Sequence, residues 1–488
     1  MFNQLLPEGT YQDIKSKVIR PEDWMNHLRN DLLKYWDTED AVRTEQGLFH
    51  TYRANDGSIM KADGSNLSPE YIAALNNPDT QGLVEMNKNY IRAHSRQTYA
   101  YGIAFHMTGK KKYLELCRQG ALALVNAMDG NYGMYVQADR TDGTWDQDRN
   151  ARISQDLSYG LTGLGMYYLL TRDKGIMHKI IQVKDYIFQT YMDDSKGYLT
   201  WLPKSLGDKE VQIVAQLDQL YAYMLMVTPA LPEPYQGIWK KDMKKICDIL
   251  ITQFYSQHYG FFWGVESSVS SMRLGSDHTD FGHSVKTFWV IQKIGELLGD
   301  PFYIEFARPK INNILKEAYI EEDGTWARRL LNEEGEIDKD KEWWILAELD
   351  QAAEILSIHD PYYYKYLNTT QKFWLETMVD HEHGEIWHMV SGEDHQPVLS
   401  YPKIHSWKTS LHSFEHVLFS YMTACRMCEE DITLYYAFSV DEKPCQESAK
   451  PYMFFANFLD YEIVVDHNKI DFMPDENCIS KVRFNGLH

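Results

Sequence analysis

The sequence predicts an all-α fold, an (α/α)6 barrel, followed by a small C-terminal β-rich extension. Three observations point there: a glycine-centred turn that recurs at a near-constant interval, room for two helices in each interval, and an alternation of apolar with amphipathic helices. The turn is an acidic or polar residue, a glycine, then aromatics. It reads Glu45-Gln46-Gly47-Leu48-Phe49, Asn131-Tyr132-Gly133-Met134-Tyr135 and Lys196-Gly197-Tyr198-Leu199-Thr200-Trp201. It returns as Tyr259-Gly260-Phe261-Phe262-Trp263, Asp323-Gly324-Thr325-Trp326 and His383-Gly384-Glu385-Ile386-Trp387. From Gly133 the glycines stand at 133, 197, 260, 324 and 384, so the intervals are 64, 63, 64 and 60. A fixed period of this kind marks a repeated supersecondary unit. The first step, from Gly47, is 86 residues, and the Gly-, Asn-, Asp- and Ser-rich stretch from Asn55 to Asp79 reads as an inserted loop.

Each interval holds a helix pair. Thr98 to Met107 pairs with Tyr113 to Met128, Ile153 to Leu170 with Met177 to Tyr191, and Val214 to Met226 with Ile238 to Phe254. Val285 to Leu298 pairs with Ile304 to Ala318, and Trp343 to Leu356 with Tyr362 to Met378. The first member is apolar nearly all round, as in Leu161-Thr162-Gly163-Leu164-Gly165-Met166-Tyr167-Tyr168. The second is amphipathic, as in Lys240 to Leu250. A helix apolar all round is buried and an amphipathic one is half exposed. Six such units close into an inner and an outer ring. After Glu430 three short runs, Thr433 to Phe438, Tyr461 to Val465 and Ile479 to Phe484, alternate in the manner of strands. Residues 1–429 are therefore read as the barrel and 430–488 as an extension packed on it.

Composition removes several classes of function. A net charge of −21 is the wrong sign for nucleic acid, whose phosphates need a basic surface. No apolar run reaches membrane-span length, and Met1 to Gly9 lacks the basic and apolar regions of a secretory signal. A soluble cytoplasmic protein, monomer or homodimer, is expected. The six cysteines lack zinc-ribbon spacing, so reduced thiols are expected and no structural zinc. No phosphate loop or dinucleotide fingerprint is present, and no cofactor is expected.

Parallel inner helices gather their N-terminal ends around one mouth. At that level stand Arg96, Asp156, Asp218, His283 with Lys286, Trp344 with Glu348, and Trp407 with His412. The stretch Trp407 to His416 reads as the first turns of the sixth inner helix, with His412 one turn below its mouth. Imidazole suits proton transfer near neutrality. His416, a turn deeper, reads as structural. His412-Ser413-Phe414-Glu415-His416 also matches the inverted zincin string, but a short string on a six-unit repeat does not suit a protease, and no metal is expected.

Four stretches together resemble the N-acylglucosamine 2-epimerase superfamily, which includes cellobiose 2-epimerases and mannose isomerases. They are Ser95 to Tyr99, Gly282 to Trp289, Lys341 to Glu348 and Trp407 to His412. The resemblance implies proton transfer at C2 of a reducing sugar through an enediol, giving an epimer or a ketose. It implies His412 and His283 as the acid/base pair, and Arg96, Trp289, Trp344 and Glu348 as substrate-binding residues; Asp218, Lys286 and Trp407 join them as substrate-binding candidates because they stand at the same level of the mouth. A small sugar or oligosaccharide is the implied partner. Two positions depart from the family pattern. Lys286 stands where Gly-His-x-x-Glu has glutamate, and Ala215 stands where a further histidine is usual. A lysine there would oppose protonation of His283, or meet an anionic substituent of the sugar. Two rival readings remain. A glycoside hydrolase or lyase on the same barrel would need a carboxyl pair, for which Asp218 with Glu348 or Asp277 with Asp280 are available. A sugar-binding relative without catalysis is the other.

Overall fold

The computed structural model describes residues 8–75, 86–207, 211–265, 274, 276–473 and 476–488. Met1 to Pro7 of the N-terminal stretch, and residues 76–79 of the expected inserted loop, lie outside the described residues. Six inner helices form a ring: Ile91–Thr108, Ser154–Thr171, residues 213–227, Phe281–Leu298, Trp343–His359 and Leu411–Cys428. Each packs on the next, and the sixth packs on the first. Five outer helices, Lys111–Asn126, Lys174–Tyr191, residues 235–254, Pro301–Ala318 and residues 361–378, alternate with them. The sixth outer place is taken by the N-terminal helix, residues 21–36, which packs against Leu411–Cys428. The (α/α)6 barrel is closed where this early helix meets the last inner one.

Burial follows the sequence pattern. Every residue of Ser154–Thr171 is buried. In the outer helix Tyr235–Ile249 only Trp239, Met243, Ile246, Cys247 and Ile249 are, the one-sided spacing of an amphipathic helix. The third inner helix carries a π-helical turn, Leu220–Met224. The recurring glycines sit at the tips of short hairpins that carry the chain from an outer helix to the next inner one, as in Tyr255–Ser256 with Phe261–Phe262. All six have positive φ, from +65° at Gly324 to +85° at Gly47. Glycine enters that left-handed region without steric cost, which is why it recurs where the rest of the turn varies. All six cysteines are unbonded thiols.

Three inner helices start a turn or more from expectation, the fourth at Phe281 rather than Val285. The first inner helix begins at Ile91, seven residues before Thr98. Its opening turns are polar yet buried, with partners supplied from elsewhere in the fold. Arg92 donates to the Ser406 carbonyl and to Asp156, and His94 bridges the Phe49 amide and the Gly120 carbonyl. The sixth begins at Leu411, so Trp407 to Ser410 are loop. The backbone amides of Trp407 and Lys408 donate to Nδ1 of His405 at 3.2 and 3.3 Å, and the His405 amide donates to the Lys408 carbonyl. That turn takes these residues out of the helix and puts His412 in its first turn.

C-terminal to the barrel, Ile432–Tyr436, Asn457–Val465 and Ile479–Asn485 form one antiparallel sheet with the third strand in the middle. Its first strand packs on the first inner helix. Tyr452, between strands, enters the barrel from below. Its hydroxyl meets Glu415 Oε1 at 2.8 Å and the Tyr99 hydroxyl at 2.6 Å.

Candidate active site

The N-terminal ends of the inner helices surround a cavity of about 480 Å³. Arg96, Asp218, His283, Lys286, Trp344, Trp407 and His412 line it. Trp289 and Glu348 do not. Both are fully buried one layer below, where the Trp289 indole donates to Glu348 Oε2 at 2.8 Å. The sugar contacts expected of these two residues are therefore replaced by contacts to protein.

His283 is the third residue of its helix. Asp280 sits just before that helix and does two jobs. Its Oδ1 accepts the His283 amide at 2.7 Å, capping the helix, and its Oδ2 meets His283 Nδ1 at 2.7 Å. A carboxylate can only accept, so Nδ1 carries a proton, and in the neutral ring Nε2 keeps its lone pair. Burial alone would raise the Asp280 carboxyl, but His283 and the helix amide outweigh it and hold it at about 2. Asp280, a carboxyl available to a hydrolase on sequence grounds, is thus committed to His283.

His412 has no such anchor. Its Nδ1 lies 3.4 Å from Glu348 Oε1 without a hydrogen bond, and its ring lies parallel to that of Tyr221 at 6.2 Å. Burial first, then Lys286, Arg96, His283 and Lys408, push its proton affinity well below that of an ordinary histidine. Trp344 stands between the two histidines, its ring 4.6 Å from His283 and 6.1 Å from His412.

Lys286 was expected to bear on His283. Its ammonium instead lies over the Tyr221 ring at 3.4 Å, 3.5 Å from Glu348 and 3.7 Å from Asp218. Burial opposes that charge, but Tyr159, Glu348, Asp218 and Glu415 prevail and hold it above the usual lysine range. Burial likewise raises the carboxyls of Glu348 and Glu415, with Lys286 opposing in both. Asp218 accepts further bonds from Gln155 and Tyr159. Glu348, His412 and Glu415 each bring a ligand atom within 4.8 Å of the others, close enough to hold a metal, yet the Lys286 ammonium already supplies the positive charge there. His416 points elsewhere, to Asp350 at 2.9 Å under the Trp374 ring.

Arg96 could have been a partner of Asp156 or Asp218. Asp156 pairs with Arg92 instead, and Arg96 has no carboxylate partner among the described residues. It donates to the Trp407 carbonyl and stacks on Tyr159 at 3.8 Å. Sequence reasoning missed Tyr159, His278, His388 and Tyr401, which also line the cavity. One signal for His388 was present: it follows the sixth glycine-aromatic turn.

No family model matches the chain. A cellobiose 2-epimerase of Ruminococcus albus is 21% identical over 359 residues, 70% of this chain and 86% of that protein. The structure of cellobiose 2-epimerase from Bacillus thermoamylovorans B4167 superposes with a TM-score of 0.65 at 18% identity, covering 82% of this chain and 98% of its own. A D-mannose isomerase gives a TM-score of 0.65 at 15% identity over 82% of this chain and 97% of its own. The fold is that of the (α/α)6 sugar epimerases and isomerases. The resemblance to the N-acylglucosamine 2-epimerase superfamily is borne out by relatives in both sequence and structure.

Proposed function

We propose that this protein is a sugar 2-epimerase or aldose–ketose isomerase that moves the proton at C2 of a reducing sugar. The reading is carried by two imidazoles, His283 and His412, that face one cavity across the ring of Trp344. The names of the relatives agree with it. In the proposed reaction the open-chain aldehyde lies against Trp344. His283 Nε2 takes the C2 proton, and the electron pair of the C–H bond forms the C1–C2 double bond as the carbonyl becomes an enediolate. Ionised Asp280 stabilises the imidazolium that results. Arg96, a fixed cation without a carboxylate partner among the described residues, meets the charge on O1. Delivery to the opposite face of C2 of a proton that His412 has first taken from solvent gives the epimer, while His283 keeps the proton it removed and then loses it to solvent. Return of the removed proton to C1 by His283, with one proton passing from O2 to O1, gives the ketose. The neutrality of His412 favours the second course, since a histidine that binds protons weakly is rarely loaded to donate one.

Incubation of D-mannose, D-glucose, cellobiose and a uronate in heavy water tests this. Deuterium should enter at C2 of recovered substrate or C1 of ketose, and His283→Ala should abolish it. Absence of exchange with all four sugars would overturn the reading.

A further inference from the structure

A second histidine pair stands in the same cavity and has no part in the proposed proton transfer. His388 Nδ1 and His405 Nε2 are 2.9 Å apart. Which of two facing imidazoles donates is normally ambiguous, but here the backbone decides. His405 Nδ1 faces the amides of Trp407 and Lys408 at 3.2 and 3.3 Å. Amide groups only donate, so His405 Nδ1 must hold a lone pair. A neutral ring then carries its proton on Nε2, and that N–H points at His388 Nδ1. His388 Nδ1 must in turn accept, which puts its own proton on Nε2. That atom has no acceptor among the described residues, and His388 lines the cavity. Both rings are buried, and burial first, then His405 and Lys408 for His388 and Lys408, Arg92 and Arg96 for His405, holds their proton affinity well below that of an ordinary histidine. The His388 ring is fixed in plane by stacking on Tyr401 at 4.3 Å, with Trp343 at 4.6 Å.

We propose that His388 is a substrate-binding residue that only donates, held in that tautomer by His405 as a positioning residue. Its Nε2–H recognises a sugar oxygen that accepts: a ring or glycosidic oxygen, a carboxylate, or a hydroxyl turned to accept. It is the electrostatic opposite of His283. There a carboxylate holds the proton on Nδ1 and leaves a base facing the cavity. Here a lone pair holds the proton on Nε2 and leaves a donor. An ammonium group, having no lone pair, is rejected at this position. The role in turnover rests on the sugar-isomerase reading; the tautomer does not.

Two measurements test it, with D-mannose and cellobiose as probes. Nitrogen chemical shifts of the histidine-labelled wild-type protein should place the proton on Nε2 in both His388 and His405. A proton on His388 Nδ1 overturns the proposal whatever the enzyme does. In kinetics, His388→Phe keeps the stack and removes the donor, so KM should rise about tenfold, the size of one neutral hydrogen bond, with kcat little changed. His388→Gln, which restores a donor, should recover part of the loss. His405→Leu should raise KM similarly and disturb the His388 nitrogen signals. An unchanged KM in His388→Phe overturns the binding role. If neither probe is turned over, the sugar-isomerase reading fails, and the nitrogen shifts still decide the tautomer.

Discussion

His283 and His412 occupy equivalent places in the fold, the first turns of the fourth and sixth inner helices, yet their surroundings are opposite. His283 is anchored on an anion, the Asp280 carboxylate, at 2.7 Å. His412 is crowded by cations, and its nearest carboxylate, Glu348, makes no hydrogen bond to it. The repeat thus delivers imidazoles to the mouth, while residues outside the repeat pattern decide what each can do with a proton. Position in a barrel predicts that a residue is in the site; its second neighbours predict its role.

The largest test of this contrast is removal of each ring. His283→Ala should lower all turnover by about 10²- to 10⁴-fold, the usual worth of a positioned acid or base, and His412→Ala should lower epimer formation by as much while sparing the ketose. A larger deficit in C2 exchange for His283→Ala would confirm it as the base, and equal exchange with His283 absent would break the comparison. Next is the source of the cationic crowding. Lys286→Met strands Asp218, Glu348 and Glu415 without their buried counter-charge, so unfolding in denaturant should show a loss of about 3–5 kcal/mol. If the variant still folds, the alkaline limb of its pH–rate profile, where His412 loses the proton it donates, should move to higher pH. A wild-type unfolding curve would mean that the lysine charge is compensated elsewhere.

Asp280→Asn sharpens the other side. The amide still caps the helix but no longer balances an imidazolium, and kcat should fall about tenfold or more, the equivalent of one pKa unit of basicity. The folded Asp280 carboxyl, at about 2, lies below its unassisted value of 3.8. The unfolded chain therefore takes up this proton first. The contribution of Asp280 to stability, on the order of 2 kcal/mol, is complete above the unfolded value and is lost as pH falls through about 2. Acid titration of wild type against Asp280→Asn reads this difference directly, and parallel curves would contradict it. The smallest effect is expected at Tyr452→Phe. It removes one hydroxyl from the buried Glu415 network while Tyr221, at 2.6 Å, still donates. Thermal unfolding should drop by the equivalent of about 1–2 kcal/mol with the KM of the sugar unchanged.

Much of the barrel is legible in the chain because two simple signals coincide there. The left-handed glycines punctuate the units, and the fully apolar helices can only be inner ones. The polar mouth is legible for the same reason, since polar residues near an inner N-terminus have nowhere else to go. Depth is harder to read. Glu348 is one turn below Trp344 on the same helix, and the chain alone does not say that Lys286 and His412 cover it. The start of the first inner helix was hidden because its polar residues find partners on Ser406, Asp156 and Phe49, remote in sequence. His388 was hidden for a related reason. Its tautomer depends on His405 and on two amides from the loop before the sixth inner helix, a relation that no spacing rule encodes.

The pairing of residues 21–36 with Leu411–Cys428 has a consequence for how the molecule comes into being. The partner of an early helix is the last inner helix to be made, so the ring cannot shut until synthesis has passed Cys428. Until then a growing chain carries five units with an open apolar edge at each end. Contacts spanning so much sequence form slowly and leave sticky surface exposed to the cell. The ion pairs Lys15–Glu429 and Arg20–Glu430 lie at this seam, where they fasten the chain's opening residues to the end of the sixth inner helix. Closure of that seam is the step at which a chaperone would have most to protect.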